Sequence, residues 1–132
     1  RMLDEIQSNL KRLIIDYPSG LEVNSSLVAK YYNIPTEYTV VGNGAAELIK
    51  SFMEFEEGRF GIIAPTFEEY PNRLSKDKIV KYYPVREKYK YTVDDIIEFY
   101  SNYRVDNLVL INPDNPTGNY IRKVDVVRLV EW

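Results

Sequence analysis

The sequence predicts an α/β fold, a mostly parallel sheet flanked by helices, from three observations. Short apolar runs alternate with segments of helical periodicity over the 132 residues. The runs, such as Arg59 to Ala64 and Leu108 to Ile111, are nearly continuous in apolar residues, as strands covered on both faces must be. Turn residues follow them: Pro65 after the first, and Asn112-Pro113 after the second.

Taken in order, Leu3, Ile6, Leu10, Leu13 and Ile14 fall at helical spacing over residues 2–14, and Tyr17-Pro18-Ser19-Gly20 breaks the pattern. Val23, Leu27, Val28 and Tyr31 mark a second helix that stops before Ile34-Pro35, because the residue ahead of a proline is pushed out of the helical region. Tyr38 to Val41 reads as a short strand, Gly42-Asn43-Gly44 as a turn, and Ala45 to about Phe55 as a helix. The next strand is Arg59 to Ala64, and Phe67 to about Lys76 reads as helical despite Pro71. Lys78 to Tyr83 is a third strand. Thr92 is placed to cap a helix carrying Val93, Ile96, Ile97 and Tyr100. Leu108 to Ile111 is a fourth strand, and Ile121, Val124, Val127, Leu129 and Val130 begin a last helix. Such βα alternation builds a largely parallel sheet.

Composition narrows the chemistry. Hydrophobic residues make up 45% and charged residues 28%, the balance of a globular domain of one-domain size. A net charge of −3, with both signs interspersed, offers no basic stripe for nucleic acid and no polybasic patch for a membrane. No apolar run approaches the roughly 18 residues of a membrane helix, and no signal peptide opens the chain. These features lead to the expectation of a cytoplasmic protein. The absence of cysteine and histidine excludes a disulfide framework, a thiol nucleophile and the usual transition-metal ligands. Many of the twelve tyrosines cluster between Tyr82 and Tyr103, where half-buried packing is their expected role.

Three stretches carry chemistry. In VVGNGAAELI, residues 40–49, a glycine turn opens a helix whose first amides face an anion, although such turns also occur without a ligand. Glu47 stands where a dinucleotide fingerprint would have its third glycine, and no GKS or GKT makes a P-loop. In PTFEEY, residues 65–70, Phe67 follows a strand at the end where open α/β sheets bind ligands, so its ring is either a core residue or the cover of a planar ligand. In INPDNPTGNY, residues 111–120, Pro113 and Pro116 forbid both ladder and helix and leave a stiff loop. Asn112 and Asn115 each bring an amide to that loop, Asn115 being the better candidate for a positioned side chain.

GNGAAELI, PTFEEY and NPDNPTG in this order resemble the fold-type I pyridoxal-phosphate enzymes, and most of all class I/II aminotransferases of the histidinol-phosphate aminotransferase type. The resemblance implies a partial PLP-transferase-like large domain: residues 1–132 would be the truncated N-terminal part of a catalytic domain. Arg1 in place of an initiator methionine and Trp132 in mid-helix agree with a piece of a longer protein. The resemblance assigns pyridoxal 5′-phosphate as cofactor. The amides of Ala45 and Ala46 would hold its phosphate, with Ala46 standing where the family commonly has Asp. Phe67 would stack on the pyridine ring, Asn115 would bond the ring hydroxyl, and Tyr17 would reach the phosphate of a neighbouring subunit in a homodimer.

The resemblance places the aspartate partner of the pyridine nitrogen, the Schiff-base lysine and the substrate-binding arginine beyond Trp132, so no catalytic residue is expected in this chain. Lys76 precedes NPDNPTG, whereas the family's lysine follows it. The expected activity of the whole protein is transfer of an amino group between a small-molecule amino donor and a 2-oxo acid, the piece alone being inactive. The alternatives are a lyase, such as a decarboxylase of phosphorylated amino acids, on the same fold, or a non-catalytic α/β module.

Overall fold

The computed structural model describes residues 1–132 as two compact units, Arg1–Ala45 and Ala46–Trp132. The first unit holds α1 (Met2–Ile15) and α2 (Leu21–Tyr32). Asn33 ends α2 at φ 54°, a left-handed position that asparagine tolerates, and the Ile34 N–H closes the cap on the Ala29 carbonyl. The apolar stripe read from the sequence is real, yet α1 buries none of its residues.

The strand expected at Tyr38 to Val41 does not form. Thr36–Tyr38 is a 3-10 turn, and the extended backbone after it finds no ladder partner. The Val41 N–H donates instead to the Ser25 hydroxyl of α2 at 3.1 Å, so a side chain satisfies the amide that a neighbouring strand would have taken.

The second unit is an α/β layer structure around three parallel strands, β1 (Phe60–Ile63), β2 (Ile79–Tyr82) and β3 (Asn107–Val109), in the order β2-β1-β3. Phe60 pairs with both Ile79 and Asn107, so the three strands start level and their C-terminal ends share one edge. Alternation along β1 sorts the core. Phe60 and Ile62 pack with Met53 of α3 (Ala45–Phe55) and with Ile49, Tyr70, Leu74, Ile79 and Val109. Ile63, on the other face, joins Val80 with residues of α4 (Val93–Asn102) and α5 (Lys123–Glu131): Val93, Ile96, Tyr100 and Leu129. The central strand is buried along its whole length, which explains its unbroken apolar sequence.

Phe67 to Lys76, expected to be helical, is a pair of 3-10 turns at Pro71–Arg73 and Lys76–Lys78. Pro71 has no N–H to return to the Phe67 carbonyl, which the Tyr70 N–H takes at 3.3 Å; the Asn72 N–H still reaches the Glu68 carbonyl at 3.0 Å, but Arg73 and Leu74 bond three residues back and the α-ladder stops. No helix is long and apolar enough to cross a membrane.

Two local devices fix the unit. Thr92 caps α4 through a reciprocal box, its hydroxyl accepting from the Asp95 N–H while the Asp95 carboxylate accepts from the Thr92 N–H at 2.7 Å. Burial alone would raise the Asp95 carboxyl, but the Thr92 hydrogen bonds and the Arg86 guanidinium outweigh it and hold the group below its ordinary value. Gly61 is the second device: a Cβ there would sit 2.8 Å from the Tyr100 ring, which is buried and tied by its hydroxyl to the Val80 carbonyl at 3.1 Å.

Substituting Gly61→Ala should therefore lower stability by about 1–3 kcal/mol in a denaturant titration, because neither the central strand nor the anchored ring can yield. Thr92→Ala should lower it by about 1 kcal/mol. The folded pKa of Asp95 is depressed, so its contribution is complete above the carboxyl's unfolded value of about 4 and fades as the pH falls through the folded value. The Thr92→Ala deficit, measured by melting between pH 7 and pH 2, should shrink at the acid end.

Candidate cofactor site

Parallel pairing of β1 with β3 sends two loops out of the same edge of the sheet. One leaves β1 at Ala64-Pro65 and carries Phe67; the other leaves β3 and carries Asn115. Phe67 is 41% exposed, its ring held edge-on by Tyr70 at 6.3 Å between centroids. It lies outside the buried clusters, partly exposed just beyond the end of β1.

The second loop is a closed, two-rung structure. Asn112 imitates a backbone pair: its Nδ2 donates to the Ile121 carbonyl at 2.8 Å, and its Oδ1 accepts the Ile121 N–H at 2.9 Å. Ile121 is itself in the core, so this rung anchors the base of the loop. Above it the Asp114 N–H donates to the Asn119 carbonyl at 2.8 Å, and the Gly118 N–H returns to the Asp114 carbonyl at 2.9 Å. Gly118 turns the chain at φ 68°, and the Thr117 hydroxyl donates to the Asp114 carboxylate. Asn119, 4% exposed, donates its amide to the Tyr91 carbonyl at 3.0 Å. The Asn112–Pro113 and Asn115–Pro116 bonds are cis.

The two asparagines of the motif thus have different fates. Asn112 spends both amide atoms inside the loop, whereas Asn115 sits at the tip, exposed, with no hydrogen bond in the chain occupying its side chain. Sequence reasoning noticed both asparagines but missed Asp114 and Asn119, which are the buried polar residues of the loop. Their signal was present in the crowding of short polar side chains around two prolines, where such side chains replace backbone partners. Tyr91 walls the loop from below. Burial pushes its hydroxyl up to about 12, the Asp114 carboxylate adds to the rise, and the Asn119 amide opposes it. The phenol is therefore neutral at physiological pH.

Ala45 and Ala46 open α3 as expected, after Gly44 at φ 94°, a left-handed position that favours glycine. Both alanines are exposed, and the first amides of a helix have no partner within it. Tyr17 lies in the first unit, in the link between α1 and α2, and is 98% exposed. Within the second unit, the loops after β1 and β3 carry a partly exposed aromatic ring, Phe67, and an exposed amide, Asn115.

Comparison with known proteins identifies the family. The model of the family "Aminotransferase class I and II" matches residues 4–132. An L-serine phosphate decarboxylase from Sulfurospirillum multivorans is 33% identical over 120 residues, covering 88% of this chain and 31% of the relative. A histidinol-phosphate aminotransferase from Thermoanaerobacter sp. strain X514 is 31% identical over 134 residues, covering 98% of this chain and 38% of the relative. A solved structure of a decarboxylase from Sulfurospirillum multivorans superimposes with a TM-score of 0.78 at 28% identity, covering 98% of this chain and 36% of that one. The chain spans about a third of the length of these relatives. It belongs to the class I and II aminotransferase family of pyridoxal-phosphate proteins.

Proposed function

We propose that this chain is the cofactor-cradling part of a pyridoxal-phosphate enzyme that acts on a phosphorylated amino compound. Two named relatives carry the substrate class: one is an L-serine phosphate decarboxylase, the other a histidinol-phosphate aminotransferase. When bound, the cofactor withdraws electrons from the bond that breaks at the amine-bearing carbon. The work of this chain is to bind and orient that group. The amides of Ala45 and Ala46 hold its phosphate, the Phe67 ring covers one face, and the Asn115 amide donates to the ring oxygen. Tyr17 extends toward the phosphate of a second subunit in a cytoplasmic homodimer.

The favoured reaction is loss of the substrate carboxylate as carbon dioxide. The observation carrying it is that decarboxylases match in both sequence and structure, including a second L-serine phosphate decarboxylase, from Campylobacter jejuni, at 32% identity over 85% of this chain. This reverses the order that the motifs alone favoured. Amino transfer to a 2-oxo acid is the second reading, supported by the family model and by the histidinol-phosphate aminotransferases. Residues 1–132 alone are inactive on either reading, because the covalent anchor for the cofactor belongs to a later part of the fold.

Supplying the full-length protein with pyridoxal phosphate and O-phospho-L-serine should release carbon dioxide and leave phosphoethanolamine. A new 2-oxo acid, formed only when an amino acceptor is added, would instead establish transamination. Neither product from any phosphorylated amine tried, with unphosphorylated amino acids turned over, would overturn the substrate class. Asn115→Ala should weaken cofactor binding about tenfold in a fluorescence titration, the value of one hydrogen bond to a charged or strongly polar oxygen.

A further inference from the structure

Asn119 stands four residues beyond Asn115 and does what no other side chain of its loop does: it ties the loop to a different element. Its Nδ2 reaches the carbonyl of Tyr91, the residue immediately before the Thr92 cap of α4. Tyr91 is itself fixed, 5% exposed as a residue within the core cluster that includes Val93 and Ile96 of α4, Leu129 of α5 and Ile63 of β1. The Asn119 carbonyl meanwhile accepts from the Asp114 N–H, and its own N–H donates to the Thr117 hydroxyl at 3.2 Å. The residue thus grips Asp114 and Thr117, which flank Asn115-Pro116, and transfers that grip to a rigid helix start.

From this geometry we infer that Asn119 is a positioning residue: through Tyr91 it sets the height and direction at which the loop tip presents Asn115. The inference rests on the reading of Asn115 given above, and it adds Asn119, Tyr91 and Asp114 as the support that reading requires. An amide at an exposed tip would otherwise spread over many rotamers and lose affinity to ordering entropy. Two rungs and a buried cross-link remove the backbone part of that freedom before any ligand arrives. Removing the Asn119 amide leaves the Tyr91 carbonyl without its partner and the upper rung without its anchor.

The test is a double-mutant cycle on the full-length protein, using Asn115→Ala, Asn119→Ala and the pair, with two readouts. The first is hydrogen exchange in the cofactor-free protein. In Asn119→Ala the Asp114 and Gly118 amides should exchange about tenfold faster, with β1 unchanged, whereas Asn115→Ala should leave both alone. The second is pyridoxal phosphate affinity by titration. Each single variant should bind about tenfold more weakly, and the pair should bind no more weakly than Asn115→Ala alone, because Asn119 acts through Asn115. Where Asn119→Ala does not fold, Asn119→Ser keeps a hydroxyl donor of shorter reach and carries the same comparison. Losses that multiply in the pair, or an unchanged loop in the Asn119 variant, overturn the inference while the role of Asn115 stands. An Asn115→Ala protein with undiminished affinity overturns both, and rapid loop exchange in Asn119→Ala would then mark a purely structural clasp.

Discussion

The proposed roles of Phe67 and Asn115 both depend on the level, parallel pairing of β1 with β3. A strand pair in this register ends both strands at one edge, so the loops that follow need not search for each other. The pairing is enforced from several sides. Gly61 lets Tyr100 lie against the central strand, and the Asp106 carboxylate takes the Arg59 N–H at 2.8 Å where the strands begin. Asn107 also reaches back to the Glu57 carbonyl at 2.7 Å, so β1 and β3 are stitched at their start by side chains as well as by the ladder. A shift of one residue would send Phe60 and Ile62 into the core built for Gly61 and Ile63, where Tyr100 leaves no room for a side chain at the Gly61 position.

Above that foundation the site follows an economy of polar groups. A loop with two prolines loses two backbone donors and cannot enter regular structure, so its remaining polar groups need partners from side chains. Asn112 and Thr117 supply them within the loop, the Asp114 carboxylate receives the Thr117 hydroxyl, and Asn119 turns its amide outward to the Tyr91 carbonyl. Asn115 is left over, and its position at the tip is a product of how completely its neighbours are satisfied. The same logic separates Asn112, bonded inside the loop, from Asn115, whose amide is left exposed, in a motif where the two look alike.

The fold was legible wherever burial decides conformation. The helix over Ala45–Phe55 and the strands around Phe60–Ile63 and Ile79–Tyr82 follow from apolar periodicity, and the Thr92 cap follows from one polar residue ahead of a helical pattern. Tyr38 to Val41 misled because extended backbone and β-branched residues describe a strand only if a partner exists, and partners are a tertiary fact. Phe67 to Lys76 misled because apolar spacing outweighed Pro71, whose missing N–H breaks the ladder. The placement of Phe67 after β1 and of Asn115 in the loop after β3 was legible from motif and position. Asn119 was not, because its role lies in a hydrogen bond to a residue 28 positions earlier in the chain.

The central claim is that the loops after β1 and β3 present an aromatic face and one free amide to a flat phosphorylated ring. The most direct measurement is a crystal structure of the full-length protein grown with pyridoxal phosphate. It should show the Asn115 amide about 3 Å from the ring oxygen and the Phe67 face stacked on the pyridine. A cofactor bound elsewhere, or bound here with Asn115 turned to solvent and Phe67 edge-on or remote, would contradict it.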